Sequence, residues 1–150
     1  MPEPFHFEDL AVGQTFETGT VTVEADMIRA FAAEFDPQPF HLGEEAARAS
    51  LFGGLVASGW HTAALSMGLL VGGELRVVGG LIGMGAEDLR WPRPVRPGDV
   101  LRVVSEVLDL RPSRSRPDRG IVRVRNTTLN QDGQPVMVAT VNMVVPRRPS

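Results

Sequence analysis

The spacing of apolar residues predicts a helical first half and a strand-rich second half for this chain. Residues 15–23, which are rich in Thr and Val, are typical of a strand. A helix over residues 24–35 should follow, because its apolar residues recur at helical spacing: Met27, Ile28, Phe31 and Phe35. We expect Thr22 to cap this helix and Pro37 to end it near Asp36, since a residue before proline disfavours the α conformation.

Two further helices are predicted before the pattern changes. The segment 44–50 favours a short helix. The segment 59–71 is apolar on nearly every side, which is typical of a helix that is buried all round. Ser58 or Gly59 should begin this central helix, and the Gly72–Gly73 pair should end it.

From Gly79 onward, the pattern predicts four strands, at residues 81–91, 100–110, 121–130 and 135–145. Turns at 93–99 and 131–134 and an Arg-rich break at 111–120 should separate them, and the tail after residue 145 should be frayed. One buried helix inside a curved antiparallel sheet packs these elements most economically, so we expect the α+β class and the hotdog fold. A lone copy would expose sheet edges and a flank of the helix, so a homodimer, or a higher oligomer built from dimers, is expected.

Composition and charge narrow the class of protein. With 150 residues and 43% hydrophobic content, residues 1–150 are expected to form one domain. The net charge of -3 gives no global basic field for nucleic acid. We see no membrane-spanning run and no signal peptide, so a cytoplasmic protein that does not bind membranes is expected.

Missing residue types exclude several chemistries. Without Cys there is no thiolate nucleophile, disulfide or zinc–thiolate site. All 15 basic residues are Arg, which excludes a lysine Schiff base and a P-loop. In the absence of Tyr as well, acid–base chemistry must come from Asp, Glu and three His: His6, His41 and His61. These His are not at metal-ligand spacing, so no metal site is expected, and His61 is interpreted as a satisfied, partly buried side chain.

Asp36 and His41 are the main candidates for chemistry. They stand five positions apart, so their side chains meet only if the segment bends, and Pro37 and Pro39 can hold such a bend. A carboxylate and an imidazole held across one water can activate that water. The alternative is a capped helix end and a proline-rich turn, with His41 on the surface.

Gly59 is the second candidate. The start of a buried helix offers free N–H groups and the positive end of the helix dipole to a thioester oxygen, and glycine there would let a ligand approach the backbone closely. Alternatively, Gly59 only shapes the turn into the helix. The glycines of residues 79–85 are expected to let the strand bend, because the segment follows a helix and opens a strand, the reverse of a dinucleotide loop.

Arginines are the third set of candidates. Those in the break at 111–120 could bind the phosphates of a nucleotide-bearing substrate such as coenzyme A, although a solvated hairpin loop is the simpler interpretation. The arginines of both candidate groups are Arg111, Arg114, Arg116 and Arg119 in the break, and Arg90, Arg93 and Arg96 around the turn at 93–99.

Taken together, these residues resemble the MaoC-like dehydratases, or (R)-specific enoyl-CoA hydratases. The family signature Asp-x-Asn-Pro-x-His compares with DPQPFH at residues 36–41, followed by the segment LVASGWHTAAL. The segment LRWPRPVRPGDVLRV at 89–103 resembles the family's return strand and Pro-Gly turn. The resemblance covers nearly the whole chain and implies reversible hydration of a trans-2-enoyl-CoA to a 3-hydroxyacyl-CoA. Coenzyme A is then part of the substrate, and no separate cofactor is implied.

The resemblance also implies roles for single residues. Asp36 and His41 would hold and activate the water, and the backbone N–H of Gly59 would stabilise the enolate-like oxygen. Further substrate contacts are expected from Gln38, Phe40, Ser58, Trp60, Arg90 and Arg114. The depth of the acyl pocket should depend on which of five side chains line it: Trp60, Met67, Leu70, Leu81 and Met84.

Three positions depart from the family pattern. Gln38 stands in place of Asn, Phe35 in place of a common Gly, and Met67 in place of a Ser, while the adjacent Ser66 points about 100° away around the helix. An acyl-CoA thioesterase and a non-catalytic acyl-CoA-binding module therefore stay as alternatives to the hydratase.

Overall fold

One antiparallel sheet and one 13-residue helix dominate the computed structural model, which describes residues 3–150. The elements after a short 3-10 helix at Phe7–Asp9 are β1 (Thr15–Glu17), β2 (Val21–Thr22), α1 (Ala25–Phe35), α2 (Pro39–Leu42), α3 (Glu44–Arg48), α4 (Gly59–Val71), β3 (Ile82–Arg90), β4 (Val100–Pro112), β5 (Arg119–Leu129) and β6 (Pro135–Pro146). The strand order is β1-β4-β5-β6-β3, with β2 also paired to β4. Helix α4 packs on the sheet against β4 and β6, which confirms the predicted α+β hotdog fold.

The four predicted long strands are present, but two of them extend into the Arg-rich segment. Arg111 pairs with Ile121 and Pro112 with Gly120, so only residues 113–118 connect β4 to β5. In β5, alternating burial begins already at Arg119 and Gly120, whereas the paired residues Arg111 and Pro112 of β4 are both exposed. In β3, a register irregularity between Gly83 and Gly85 confirms the expected bend.

The predicted first strand is broken into β1 and β2. The hydroxyl of Thr18 accepts a hydrogen bond from the N–H of Val103 at 2.9 Å. At the break, a side-chain oxygen thus takes the place of a backbone carbonyl as the acceptor for this N–H of β4. Thr22 belongs to β2 and pairs with Val100, so the prediction that it caps α1 is wrong, and Glu24 holds the N-cap position instead. The end of α1 at Phe35, with Asp36 as C-cap, is as predicted.

A short helix that was not predicted, α2, separates the two candidate residues. It begins at Pro39, where a proline ring fits the first helical turn, and Gln38 is its N-cap. The peptide N–H of His41 donates to the carbonyl of Gln38 at 3.0 Å. The bend between Asp36 and His41 is therefore a helix start. The third helix ends at Arg48, slightly earlier than expected.

The central helix α4 has its predicted limits but a different environment. The Ser58 hydroxyl caps it by accepting a hydrogen bond from the N–H of Trp60 at 3.2 Å. Burial on all sides is wrong for this chain, because the sheet and α1 together cover only one face of the helix. That buried face carries His61, Thr62, Ser66 and Leu70, while Trp60, Met67 and Val71 stay exposed.

A buried apolar cluster connects the segments that carry the site. It includes Ile28 of α1, Ala47 of α3 and Leu101 of β4, all fully buried. Ala57, just before α4, and Val95, in the turn after β3, belong to the same cluster. The start of α4 is thus held against both α1 and the turn at 93–99.

The C-terminal tail is anchored near the N-terminus, so the prediction of a frayed tail is wrong for its first residues. Arg147 pairs with Glu8 at 3.1 Å, and Arg148 pairs with Asp9 at 2.5 Å.

Within residues 3–150, no helix is long and apolar enough to cross a membrane.

Candidate active site

A cavity of about 510 Å³ opens at the N-terminal end of α4. It brings together the end of α1, the helix α2 and the turn that follows β3. Its walls are Asp36, Gln38, Phe40, His41, Phe52, Val56, Ala57, Gly59, Trp60, Thr62 and residues 91–95. The lining combines a few polar side chains with aromatic and aliphatic ones, which is typical of a ligand site.

Asp36 and His41 meet at this cavity. The Asp36 Oδ2 atom lies 3.3 Å from His41 Nε2, and both side chains are largely buried. His41 Nδ1 lies 2.6 Å from the carbonyl oxygen of Val56. The surface position of His41 in the alternative interpretation is therefore wrong.

The Val56 carbonyl determines which nitrogen of His41 carries a proton. A carbonyl oxygen only accepts, so Nδ1 must be the donor in that bond. In a neutral ring, Nε2 is then an acceptor that faces the Asp36 carboxylate. A proton on Nε2 converts this contact into a charge-assisted hydrogen bond. The pair is thus arranged to hold and transfer a single proton on the cavity side.

Gln38 contacts the carboxylate from its other oxygen. The side-chain amide of Gln38 donates to Asp36 Oδ1 at 2.6 Å. This hydrogen bond, followed by one from the Ser58 hydroxyl, holds the pKa of Asp36 below its ordinary value, and desolvation opposes the shift only in part. The longer Gln side chain therefore reaches the Asp36 carboxylate.

Gly59 lies at the first position of α4, where an N–H has no partner within the helix. A Cβ atom on this residue would lie 2.6 Å from Trp91 Cε2, so no side chain fits there. The indole N–H of Trp91 also donates to the Gly59 carbonyl at 3.0 Å. We expected a ligand to approach the backbone closely at Gly59. In the structure, the ring of Trp91 makes that close approach.

Aromatic side chains shape the cavity walls. The ring of Phe40 lies 4.5 Å from the ring of His41 and stacks on Phe52 at 5.2 Å, measured between centroids. Trp60 and Trp91 meet edge to face at 5.2 Å. These rings provide an apolar surface beside the Asp36–His41 pair.

The structure brings most of the predicted site residues together. Asp36, Gln38, Phe40, His41, Gly59 and Trp60 line the cavity, as does the candidate Arg93. Ser58 is fully buried beneath it as the cap of α4. Arg90 is not among the lining residues and pairs with Asp88 at 3.1 Å. Arg96 donates to the Phe52 carbonyl at 2.7 Å, which ties down the loop after α3.

Arg114 lies away from this cavity in the same protomer. It belongs to the loop between β4 and β5, beside the pair of Arg111 and Ile121. Ile121 also pairs with Val144, which pairs with Ile82 at the start of β3. The cavity instead follows the end of β3, at the opposite end of the sheet. A role for Arg114 in substrate binding would require a second subunit.

Several lining residues were not predicted as site residues. Thr62 could have been found, because it lies one helical turn after Gly59 on the same face of α4. Phe52 and Trp91 come from segments distant in sequence, and no spacing rule places them at the cavity. Of the five side chains considered for pocket depth, Trp60 is the one that lines it.

The geometry corrects the prediction of a satisfied His61, whereas the contacts of Ser66 agree with its expected direction away from the site. Ser66 is buried and bonds the Thr62 carbonyl and the Thr128 hydroxyl, each at 2.7 Å, so it joins α4 to β5. His61 is buried and stacks on Phe31 at 4.7 Å, but its Nδ1 atom has no partner. Burial lowers the pKa of His61.

Among the described residues, no group of three or more potential ligands could hold a metal ion.

Comparisons with known proteins identify the family of this chain. The family model for the MaoC-like domain matches residues 8–130. The chain is 57% identical to the MaoC-like dehydratase from Rhodospirillum rubrum, whose crystal structure superposes with a TM-score of 0.94 over 97% of this chain and 99% of that one. It is 36% identical to the Bacillus subtilis protein YdeM over 93% of this chain and 98% of that protein. It is 34% identical to the 3-hydroxybutyryl-CoA dehydratase of Methylorubrum extorquens over 74% of this chain and 69% of that protein. The chain belongs to the MaoC-like dehydratase family.

Proposed function

We propose that this protein catalyses the reversible hydration of a 2-enoyl-CoA thioester to a 3-hydroxyacyl-CoA. The observation that carries the proposal is the contact of Asp36 Oδ2 with His41 Nε2 at 3.3 Å, inside a cavity that also contains Gly59. The name of the 3-hydroxybutyryl-CoA dehydratase supports the same substrate class. The family relationship supports a hydratase or dehydratase more broadly.

Proton transfer follows from the arrangement of the pair. A carboxylate is ionised at neutral pH even at its ordinary pKa, and the lowered pKa of Asp36 keeps it so, so it can accept a proton from a water molecule. The water oxygen bonds to Cβ of the enoyl group, and the π electrons move to Cα. His41, protonated at Nε2, donates its proton to Cα. The proton on Asp36 then returns to His41 across the short gap, so the net change is addition of one water.

The start of α4 supplies the electrostatic part of this mechanism. Negative charge develops on the thioester oxygen when the water attacks Cβ. The N–H of Gly59 lies at the positive end of the helix dipole and can donate to that oxygen. The carboxylate thus acts on the water, the imidazole on Cα and the amide on the thioester oxygen.

The proposal is tested by incubating the purified protein with crotonyl-CoA and longer enoyl-CoA thioesters. Hydration removes the conjugated double bond, so the ultraviolet absorbance of the enoyl thioester should fall without release of free thiol. Release of coenzyme A thiol without loss of the double bond would identify a thioesterase instead. Tight binding with no change in either signal would identify a binding module.

The pH dependence of the reaction should report the contact between Gln38 and Asp36. As pH falls through the lowered pKa of Asp36, the carboxylate is protonated and kcat/KM is lost. Gln38→Leu removes the largest cause of the lowered pKa, so the acid limb of the profile should move to higher pH. Gln38→Asn, which is one methylene shorter, should give an intermediate profile. An acid limb that stays in place in Gln38→Leu would show that this hydrogen bond does not tune the carboxylate.

We also propose that the protein forms a homodimer through the exposed face of α4 and the edge strand β3. Ile82 and Met84 on β3 are 52% and 57% exposed. Met67 and Val71 on α4 are 43% and 62% exposed, which leaves a large apolar surface uncovered in one protomer. Because β3 ends the sheet, its free backbone groups can also pair with another strand.

Met84→Asp should therefore convert a dimer into monomers, because it places a charge in the middle of the apolar edge. Light scattering after size-exclusion chromatography would measure the molar mass. Val12→Asp is the matched control, since Val12 is 63% exposed and precedes β1 at the other edge of the sheet. A monomeric wild-type protein, or a Met84→Asp protein of unchanged mass, would contradict the proposed interface.

A further inference from the structure

Both tryptophans of the chain lie at the mouth of the cavity. The sequence contains two Trp, and Trp60 and Trp91 are those two. They meet edge to face at 5.2 Å, and they remain 58% and 39% exposed. Trp60 follows Gly59 on α4, whereas Trp91 follows the end of β3. A contact between two distant segments thus forms directly beside the first amide of α4.

Trp91 holds one particular peptide group. Its indole N–H donates to the carbonyl of Gly59 at 3.0 Å. The N–H of the same peptide unit belongs to Trp60 and donates to the Ser58 hydroxyl at 3.2 Å. Both polar ends of the Gly59–Trp60 peptide are therefore bonded to side chains, which restricts its rotation. The N–H of Gly59 belongs to the preceding peptide unit, and we expect this restriction to hold it in a defined direction.

The ring of Trp91 also restricts Gly59 sterically. Three of its atoms, Cε2, Cδ2 and Cζ2, would lie 2.6, 2.9 and 3.0 Å from a Cβ placed on Gly59. The φ angle of Gly59 is not positive, so the close ring, and not the backbone conformation, is what requires glycine here. Trp91 therefore acts on Gly59 in two ways, through the hydrogen bond and through the contact of its ring.

We propose that Trp91 is the positioning residue for the thioester-binding amide: it fixes the Gly59 N–H toward the substrate carbonyl in the cavity. This inference rests on the proposed function, because the carbonyl is that of an acyl-CoA thioester. A donor aimed in advance at a developing negative charge needs no reorganisation during the reaction. Trp91 does not exchange protons with the substrate in this account. Its effect passes entirely through Gly59.

The kinetic test compares two substitutions of Trp91 with crotonyl-CoA as substrate. Trp91→Phe keeps a ring against Gly59 and removes the indole N–H, and it should lower kcat by about tenfold, part of the loss typical of a missing oxyanion donor, with little change in KM. Trp91→Ala removes both contacts and should lower kcat further. Unchanged kcat in both variants would overturn the proposal while leaving the hydratase function in place.

A double-mutant cycle tests the connection to Gly59. Gly59→Ala should reduce kcat strongly, because the new methyl group meets Trp91. In a Trp91→Ala background the same methyl group has room, so Gly59→Ala should cost much less. Equal losses in both backgrounds would show that the two residues act independently, which would contradict the proposal.

A spectroscopic readout separates this inference from the reaction itself. Butyryl-CoA is saturated and cannot be hydrated, so its bound thioester carbonyl can be followed by difference infrared spectroscopy without turnover. We expect the carbonyl stretch to shift to lower frequency on the wild-type protein and to shift less on Trp91→Phe. That result without any enoyl-CoA hydration would keep Trp91 as positioning residue and overturn the proposed reaction. No carbonyl shift on the wild-type protein would overturn the role of Trp91.

Discussion

Asp36→Asn is expected to reduce enoyl-CoA hydration by about a thousandfold, within the range typical for loss of a general base. Asparagine has nearly the same shape as aspartate, so it can keep the position at the end of α1. It cannot accept the proton of the attacking water. The hydration rate at saturating crotonyl-CoA, measured with the circular dichroism spectrum of the same sample, checks this expectation.

The matched control for Asp36→Asn is Asp132→Asn. Asp132 lies in the exposed turn between β5 and β6 and does not line the cavity, and the substitution makes the same change of charge. It should hydrate crotonyl-CoA at the wild-type rate. A fully active Asp36→Asn protein would remove Asp36 from the mechanism, whatever the control shows.

Two substitutions of His41 should separate its catalytic nitrogen from its structural one. His41→Asn places an amide N–H near the position of Nδ1, so the bond to the Val56 carbonyl can be kept while Nε2 is lost. We expect a stable protein whose hydration rate falls by about a hundredfold or more, because the proton donor to Cα is absent. Hydration kinetics and thermal unfolding together measure both effects.

His41→Gln is the complementary variant. Its amide lies near the position of Nε2, but nothing replaces Nδ1, so the Val56 carbonyl loses its donor in a buried place. We expect the free energy of unfolding to fall by about 1–3 kcal/mol, the cost of an unsatisfied buried acceptor. If His41→Asn were as active as the wild type, Nε2 would have no part in the reaction. If His41→Gln unfolded like the wild type, the Val56 bond would contribute little to stability.

The sequence was most informative where a local rule determines the structure. Pro37 ends α1 at Phe35, and Ser58 caps α4, both as expected. The two prolines between Asp36 and His41 indicated a bend, although the bend proved to be the start of α2. Local rules therefore predicted that Asp36 and His41 could meet, which the structure shows.

The remaining parts of the site depend on contacts between distant segments. The burial of His41 comes from Val56, fifteen residues later, and the fit at Gly59 comes from Trp91. Neither partner stands in a spacing that sequence reasoning can recognise. Gln38 departs from the family pattern, and its contact with Asp36 Oδ1 at 2.6 Å follows from the geometry and not from the sequence.

Local rules also could not predict which faces of the central helix are buried. An all-round apolar pattern suggested burial on every side, yet Trp60 and Met67 are exposed in one protomer. Composition reports how much apolar surface an element presents, but not whether its own sheet or a second copy covers that surface. The position of Arg114 away from the cavity has a similar origin, since the end of the sheet at which a loop lies follows from strand pairing.

The most direct measurement is hydration of crotonyl-CoA in water labelled with oxygen-18, followed by mass spectrometry of the products. The proposed reaction predicts an intact coenzyme A thioester that carries the label in a new hydroxyl group at Cβ. When Asp36→Asn replaces the wild-type protein, label should enter the thioester about a thousandfold more slowly. Label found instead in a free carboxylic acid, with coenzyme A released, would contradict the account and show that the water attacks the thioester carbon.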